Sequence, residues 1–136
     1  MGFEVWDIVK VPFPYTDRPI RQNRPALVIA AGELEATHGL LWLAMITSAE
    51  NRGWTGDVMI ADLPAAGLPV PSIVRTAKLA TIEARDAQPL GTLPPANRES
   101  VSGFLRDRLA AALDLDERRA AQAAHAGIPA PPATTS

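Results

Sequence analysis

From Phe3 to Phe13 the chain reads FEVWDIVKVPF, and its side chains alternate. Val5, Asp7, Val9 and Val11 fall on one side, and Trp6, Ile8 and Lys10 on the other. A period of two belongs to a strand, and it commits the chain to a sheet from its start. Pro12 and Pro14 end or edge that strand, because proline removes a ladder donor. Short β-rich runs follow at 24–31 (RPALVIAA), 39–48 (GLLWLAMITS), 57–61 (DVMIA), 72–76 (SIVRT) and 78–84 (KLATIEA), with PLGTL at 89–93 as an edge strand. The polar stretch GELEATH at 32–38 reads as a turn, so the early strands form an antiparallel meander. DLPAAGLPVP at 62–71 is too rich in proline and glycine for regular structure beyond one short helical turn.

Near Ala96 the period changes. Val101, Phe104, Leu105, Leu109 and Leu113 follow helical spacing, and Pro94 and Pro95 just ahead suit a helix start. These short strands and one closing helix predict a mainly β fold with a C-terminal helix (α+β), a small β barrel under helical cover. At 136 residues and 47% apolar the chain is expected to form one domain with a real core. That domain is expected over 1–115, with 116–136 as an Ala/Pro-rich helix extension and flexible tail. Cysteine is absent, the first residues MGFEVWDIVK lack the pattern of a signal peptide, and no apolar run nears the roughly 20 residues that span a bilayer. The expectation is a soluble cytoplasmic protein with no membrane partner.

Chemistry is sparsely marked. His38 in a turn and His125 in the tail read as solvent-exposed. Metal-ligand motifs, Gly-rich phosphate loops and nucleophile elbows are not found, so neither metal nor cofactor is expected. The formal charge is −2, yet Pro14 to Arg24 holds three arginines against the single carboxylate of Asp17. Arg18 and Arg21 read equally well as a solvated loop or as phosphate contacts. Arg24 abuts Pro25 at the mouth of a strand, where a guanidinium is held more rigidly than at a loop tip. Thr47 and Ser48 put two hydroxyls where a strand runs out, ahead of a polar loop carrying Trp54; alone, that is an ordinary polar strand end. Arg75 and Lys78 sit around what reads as a tight strand–strand connection, either as solvent-facing hairpin charges or as anion contacts.

Taken in order, five stretches resemble the PemK/MazF family of toxin endoribonucleases from type II toxin–antitoxin systems: WDIVKVPFPYTD, NRPALVIAA, AMITS, PSIVRTAKLATI and PLGTLPPANRESVSGFL, together covering about residues 4–113. The resemblance implies an SH3-like small β barrel of the PemK/MazF (CcdB-like) kind, working as a homodimer, bound by a cognate antitoxin protein and cleaving single-stranded RNA at its interface groove. It makes Arg24 and Thr47 the catalytic pair. Tyr15, Thr16, Arg18, Arg21, Ser48, Trp54, Arg75 and Lys78 then become RNA contacts, with Tyr15 and Trp54 as stacking platforms and Phe13 in the core. The chemistry implied is metal-independent attack by a ribose 2′-OH, leaving a 2′,3′-cyclic phosphate and a 5′-OH, so DNA is no substrate.

The chain departs from the family pattern in places. Trp6 stands where the family has glycine, Pro94 replaces a Ser helix cap at about 1 kcal/mol, and the pI of 5.6 is low for an RNA-binding protein. Two other classes remain open on the sequence, a CcdB-like gyrase-binding poison and a catalytically inactive SH3-like binding module.

Overall fold

A computed structural model describes residues 2–13 and 22–114. Its strands are β1 (Asp7–Phe13), β2 (Gln22–Ala30), β3 (Leu40–Ser48), β4 (Asp57–Met59), β5 (Ser72–Glu83) and β6 (Gln88–Thr92). The helices are α1 (Glu33–His38), α2 (Leu63–Ala66) and α3 (Pro95–Leu109). The polar stretch expected as a turn is thus a short helix, α1, closed by Gly39 at φ +67°. The division expected at 115/116 lies outside the described residues. The chain forms two compact units, one ending at Ser102 and one starting at Gly103. In the second, α3 runs on to Leu109 and turns carry the chain to Asp114.

The first unit holds one antiparallel sheet, in the order β4-β5-β3-β2-β1-β6. The expected mainly β, barrel-like fold with a C-terminal helix is borne out, with the sheet left unclosed, since its end strands β4 and β6 are not hydrogen-bonded to each other. β1, β2 and β3 form the meander, and the register sets Val9, Ala26 and Met45 side by side across them. These three join Val11, Val28, Leu41, Leu43 and Ile82 in a buried cluster on one face of the sheet, its inner face. On the opposite face, Ile8, Leu27 and Ala44 line up and are also fully buried. That explains why Ala26–Val28 and Leu43–Ile46 read as continuous apolar runs: each strand is covered on both sides. Burying each large aliphatic side chain contributes roughly 1.5–3 kcal/mol.

Residues 72–83 form a single strand. The connection expected near Arg75 and Lys78 is not a hairpin but a bulge, since Ala44 pairs with Leu79 while the next residue, Met45, pairs with Arg75. Residues 76–78 are surplus to the ladder. Continued without the bulge, the register from Leu79 would set Arg75 opposite Ser48 on the other face; the bulge turns it onto the inner face beside Met45.

The ends of the sheet are finished differently. At β4 the Asn97 side chain, from the first turn of α3, donates to the Met59 carbonyl (2.9 Å) and accepts from the Ala61 amide (2.9 Å). One amide thus takes up a donor and an acceptor on a strand edge. At β6 the cover is α2. A Cβ on Gly67 would lie 2.0 Å from the Leu90 carbonyl oxygen, and one on Gly91 would lie 2.4 Å from the Ala66 carbonyl carbon. Only glycine lets the two backbones approach so closely.

The first strand starts later than its alternation suggests, at Asp7. Val5 and Trp6 form a turn that the Asp7 amide closes on the Glu4 carbonyl (3.0 Å), and Trp6 takes φ +82°. A non-glycine residue in that region costs about 1 kcal/mol or more. Neighbouring strands hold it there: the Trp6 amide donates to Val28 (3.0 Å) and its carbonyl accepts from Leu93 (2.8 Å). The indole is half-buried, with the Arg98 guanidinium 5.8 Å from its ring centre.

Candidate functional site

Alternation along β2 puts Arg24 on the same face as Ala26, and alternation along β3 puts Thr47 with Met45. The pairing of β2 with β3 ends at Ala26 and Met45, and Arg24 and Thr47 each lie two residues beyond that pair on the inner face. The two residues singled out from the sequence therefore lie near the ends of neighbouring strands on one side of the sheet. Arg24 is half-buried, with Nη2 3.5 Å from Gln22 Oε1. Thr47 is 6% exposed, and its Oγ1 accepts from Asn51 Nδ2 at 3.0 Å.

The turn after β3 is built by local polar contacts. Ser48 Oγ accepts from the Glu50 amide (3.2 Å) and starts a single 3-10 turn, Ala49–Asn51. Beyond it, Asp57 gathers the loop. Its Oδ2 accepts from the Gly53 amide (3.1 Å), the Trp54 amide (3.0 Å) and Arg75 Nη2 (2.9 Å), and its Oδ1 from Arg75 Nε (3.1 Å). Arg75 Nη2 also donates to the Asn51 carbonyl at 2.7 Å. The pair is almost out of solvent, with side chains 8% and 7% exposed for Arg75 and Asp57. Burial alone pushes the Asp57 pKa up. The hydrogen bonds from Arg75, Trp54 and Gly53, together with the Arg75 charge, outweigh it and leave the carboxyl below the ordinary range.

Arg75 also supports Trp54. Its guanidinium carbon lies 3.9 Å from the indole centre, while Trp54 itself stays half-exposed. Lys78 stands in the bulge, half-buried, and Thr76 beside it donates to the Gly56 carbonyl at 2.7 Å. Tyr15, Thr16, Arg18 and Arg21 lie outside the described residues, as does the side chain of Phe13. His38 is exposed at the end of α1, and His125 is outside the described residues. Among the described residues no group of three or more His, Asp or Glu side chains is gathered as a metal site would need. No described helix is long and apolar enough to cross a membrane. Asn51 and Asp57 carry no sequence signal beyond standing in a polar loop; their roles come from contacts that only the fold creates.

Residues 4–109 match the family described as PemK-like, MazF-like toxin of type II toxin–antitoxin system. The chain belongs to that family. The MazF-like fold is shared with solved structures at low identity. MazF from Deinococcus radiodurans is 22% identical, with a TM-score of 0.66, over 81% of this chain and 98% of that one. The MazE–MazF structure from the same organism gives 23% identity and a TM-score of 0.62, over 80% and 96%. An endoribonuclease in complex with its cognate antitoxin, from a mycobacterial species, gives 14% and 0.62, over 78% and 93%. None of the curated proteins matches the sequence. As a PemK/MazF-family member the chain is a toxin of the type II toxin–antitoxin class.

Proposed function

We propose that this toxin is a metal-independent endoribonuclease that cuts single-stranded RNA at short sequence motifs. The observation that supports this reading is that Arg24 and Thr47 lie on one face of neighbouring strands, each two residues beyond the Ala26–Met45 pair. In the proposed reaction the ribose 2′-oxygen attacks its own phosphorus as it loses its proton. The P–O5′ bond then breaks and the 5′-oxygen takes up a proton, leaving a 2′,3′-cyclic phosphate and a 5′-hydroxyl. Arg24 supplies fixed positive charge where the phosphorane becomes anionic, and Thr47 donates to a phosphate oxygen. A guanidinium is a poor base, so Arg24 acts through its charge rather than as the proton acceptor.

Trp54 is the stacking platform, since Arg75 backs its indole while the residue stays half-exposed for a base. Arg75 contributes through that indole, and Ser48 and Lys78 complete the RNA contacts among the described residues. Tyr15, Thr16, Arg18 and Arg21 are assigned to the same strand of RNA. The working form is a cytoplasmic homodimer whose toxin domain spans 1–115, silenced by a cognate antitoxin. Support for the antitoxin comes from the MazE–MazF structure and the mycobacterial complex named above.

The test uses EDTA-treated protein and its Arg24→Ala variant on a long, structure-poor RNA, with new ends mapped and assayed for cyclic phosphate. The expected result is cutting at one short motif, slowed on the order of 10²–10³-fold in the variant. A folded, antitoxin-free wild type that leaves RNA intact would overturn the reading.

A further inference from the structure

Thr47 is buried and can serve the reaction only if its hydroxyl hydrogen points at the substrate. A threonine hydroxyl has one hydrogen to give and two lone pairs to receive. In this structure Asn51 Nδ2 gives to Thr47 Oγ1 at 3.0 Å, so one lone pair is occupied and the hydroxyl hydrogen is turned away from Asn51. A hydroxyl that accepts a hydrogen bond is also polarised into a better donor. Asn51 is fixed in its turn by Arg75, whose Nη2 holds the Asn51 carbonyl at 2.7 Å, and Arg75 is fixed by Asp57 through two bonds. The chain of contacts runs from Asp57 through Arg75 and Asn51 to Thr47, and only its last member is assigned to the reaction.

We infer that Asn51 is a positioning residue that holds the Thr47 hydroxyl as a donor toward the scissile phosphate. The inference rests on the ribonuclease reading above. It explains why a buried strand-end threonine is tied to an otherwise exposed loop amide. It also gives the Arg75–Asp57 pair a purpose beyond packing, which is to set the height of the Asn51 turn against β3.

Asn51→Asp separates this from a plain loop contact. The replacement has the same shape, but an ionised carboxylate only accepts, so Thr47 must swing its hydrogen toward residue 51 and present lone pairs to the phosphate. The expected result is a kcat lower by on the order of 10²-fold with KM changed far less. Asn51→Ala, which removes the partner without inverting it, should lose less. The negative charge that Asn51→Asp adds would itself slow cleavage, so both variants are repeated in a Thr47→Val background. There the charge effect persists while the orientation effect has nothing to act on, and the kcat loss should shrink to a few-fold. Circular dichroism and a thermal melt establish that each variant is folded. Equal losses in both backgrounds, or an Asn51→Asp variant as active as wild type, would overturn the inference while leaving the ribonuclease intact. A folded wild type that cuts no RNA would overturn both.

Discussion

The two end strands of the sheet are secured by opposite means. β4 is held by polar side chains: Asp57 pairs with Arg75 on β5, and the Asn97 amide takes up the Met59 carbonyl and the Ala61 amide on the outer edge. β6 is covered by backbone, with α2 pressed against Leu90 and Gly91 where no side chain could fit. Directional bonds can be lost one at a time and leave their partners to water, whereas a steric fit fails whenever an atom is added. The candidate site lies at the polar end, where Asn51, Asp57 and Arg75 tie loop to strand. Groups that must meet a charged substrate are there held by groups of their own kind.

Breaking the polar end at its centre should have the largest effect. Arg75→Ala leaves the Asp57 carboxylate buried without its counter-charge, and a loss of about 3–5 kcal/mol is expected in urea denaturation. The same pair should show in the pH dependence. The folded Asp57 pKa is lowered, so its contribution is complete above the unfolded carboxylate value of about 3.9 and fades as pH falls through the folded value. Wild type should therefore lose stability below about pH 4 more steeply than Asp57→Asn, which has no such group to protonate. A pair of parallel acid profiles would show that Asp57 does not matter in this way.

Breaking the other end comes next. Gly91→Ala sets a methyl group against the Ala65 and Ala66 backbone, and about 2–3 kcal/mol of stability should be lost with little change between pH 4 and 8. A pH-dependent loss there would blur the contrast between the ends. The smallest effect sharpens it. Asn97→Ala should cost about 1–2 kcal/mol by leaving one carbonyl and one amide of the β4 edge without their protein partner. Asn97→Asp keeps the bond from Ala61 and loses the one to Met59, so it should fall between wild type and alanine in the same denaturation series.

Much of the fold is legible in the sequence. Period-two and apolar runs locate the strands, because each buries one face or both, and the change to helical spacing locates α3. Arg24 and Thr47 are legible as polar residues at strand ends, once the resemblance gives them a shared purpose. The bulge is not. Two short β-rich runs with charges at their junction read as two strands and a tight connection, and nothing in SIVRTAKLATIE shows that the ladder skips residues 76–78. Arg75 therefore reads as a solvent-facing hairpin charge or an anion contact, whereas its side chain is buried against Asp57. Asp57 lies 18 residues from Arg75, and that contact exists only after β4 has paired with β5. The left-handed turn at Trp6 is hidden too, since tryptophan is a poor marker of positive φ; its backbone bonds to Val28 and Leu93 impose the conformation from outside.

The bulge leaves β5 with slack. Twelve of its residues run beside nine of β3, and the surplus lies between the core pairings of Leu43 with Ala80 and Leu41 with Ile82 and the site pairing of Met45 with Arg75. A residue gained or lost within 76–78 can be taken up where it occurs, because that stretch is already out of the ladder. The same change at Ala80–Ile82 would slip the strand and turn its buried side chains outward. The sheet thus carries its tolerance for length beside the candidate site, away from the pairings that hold the core in step.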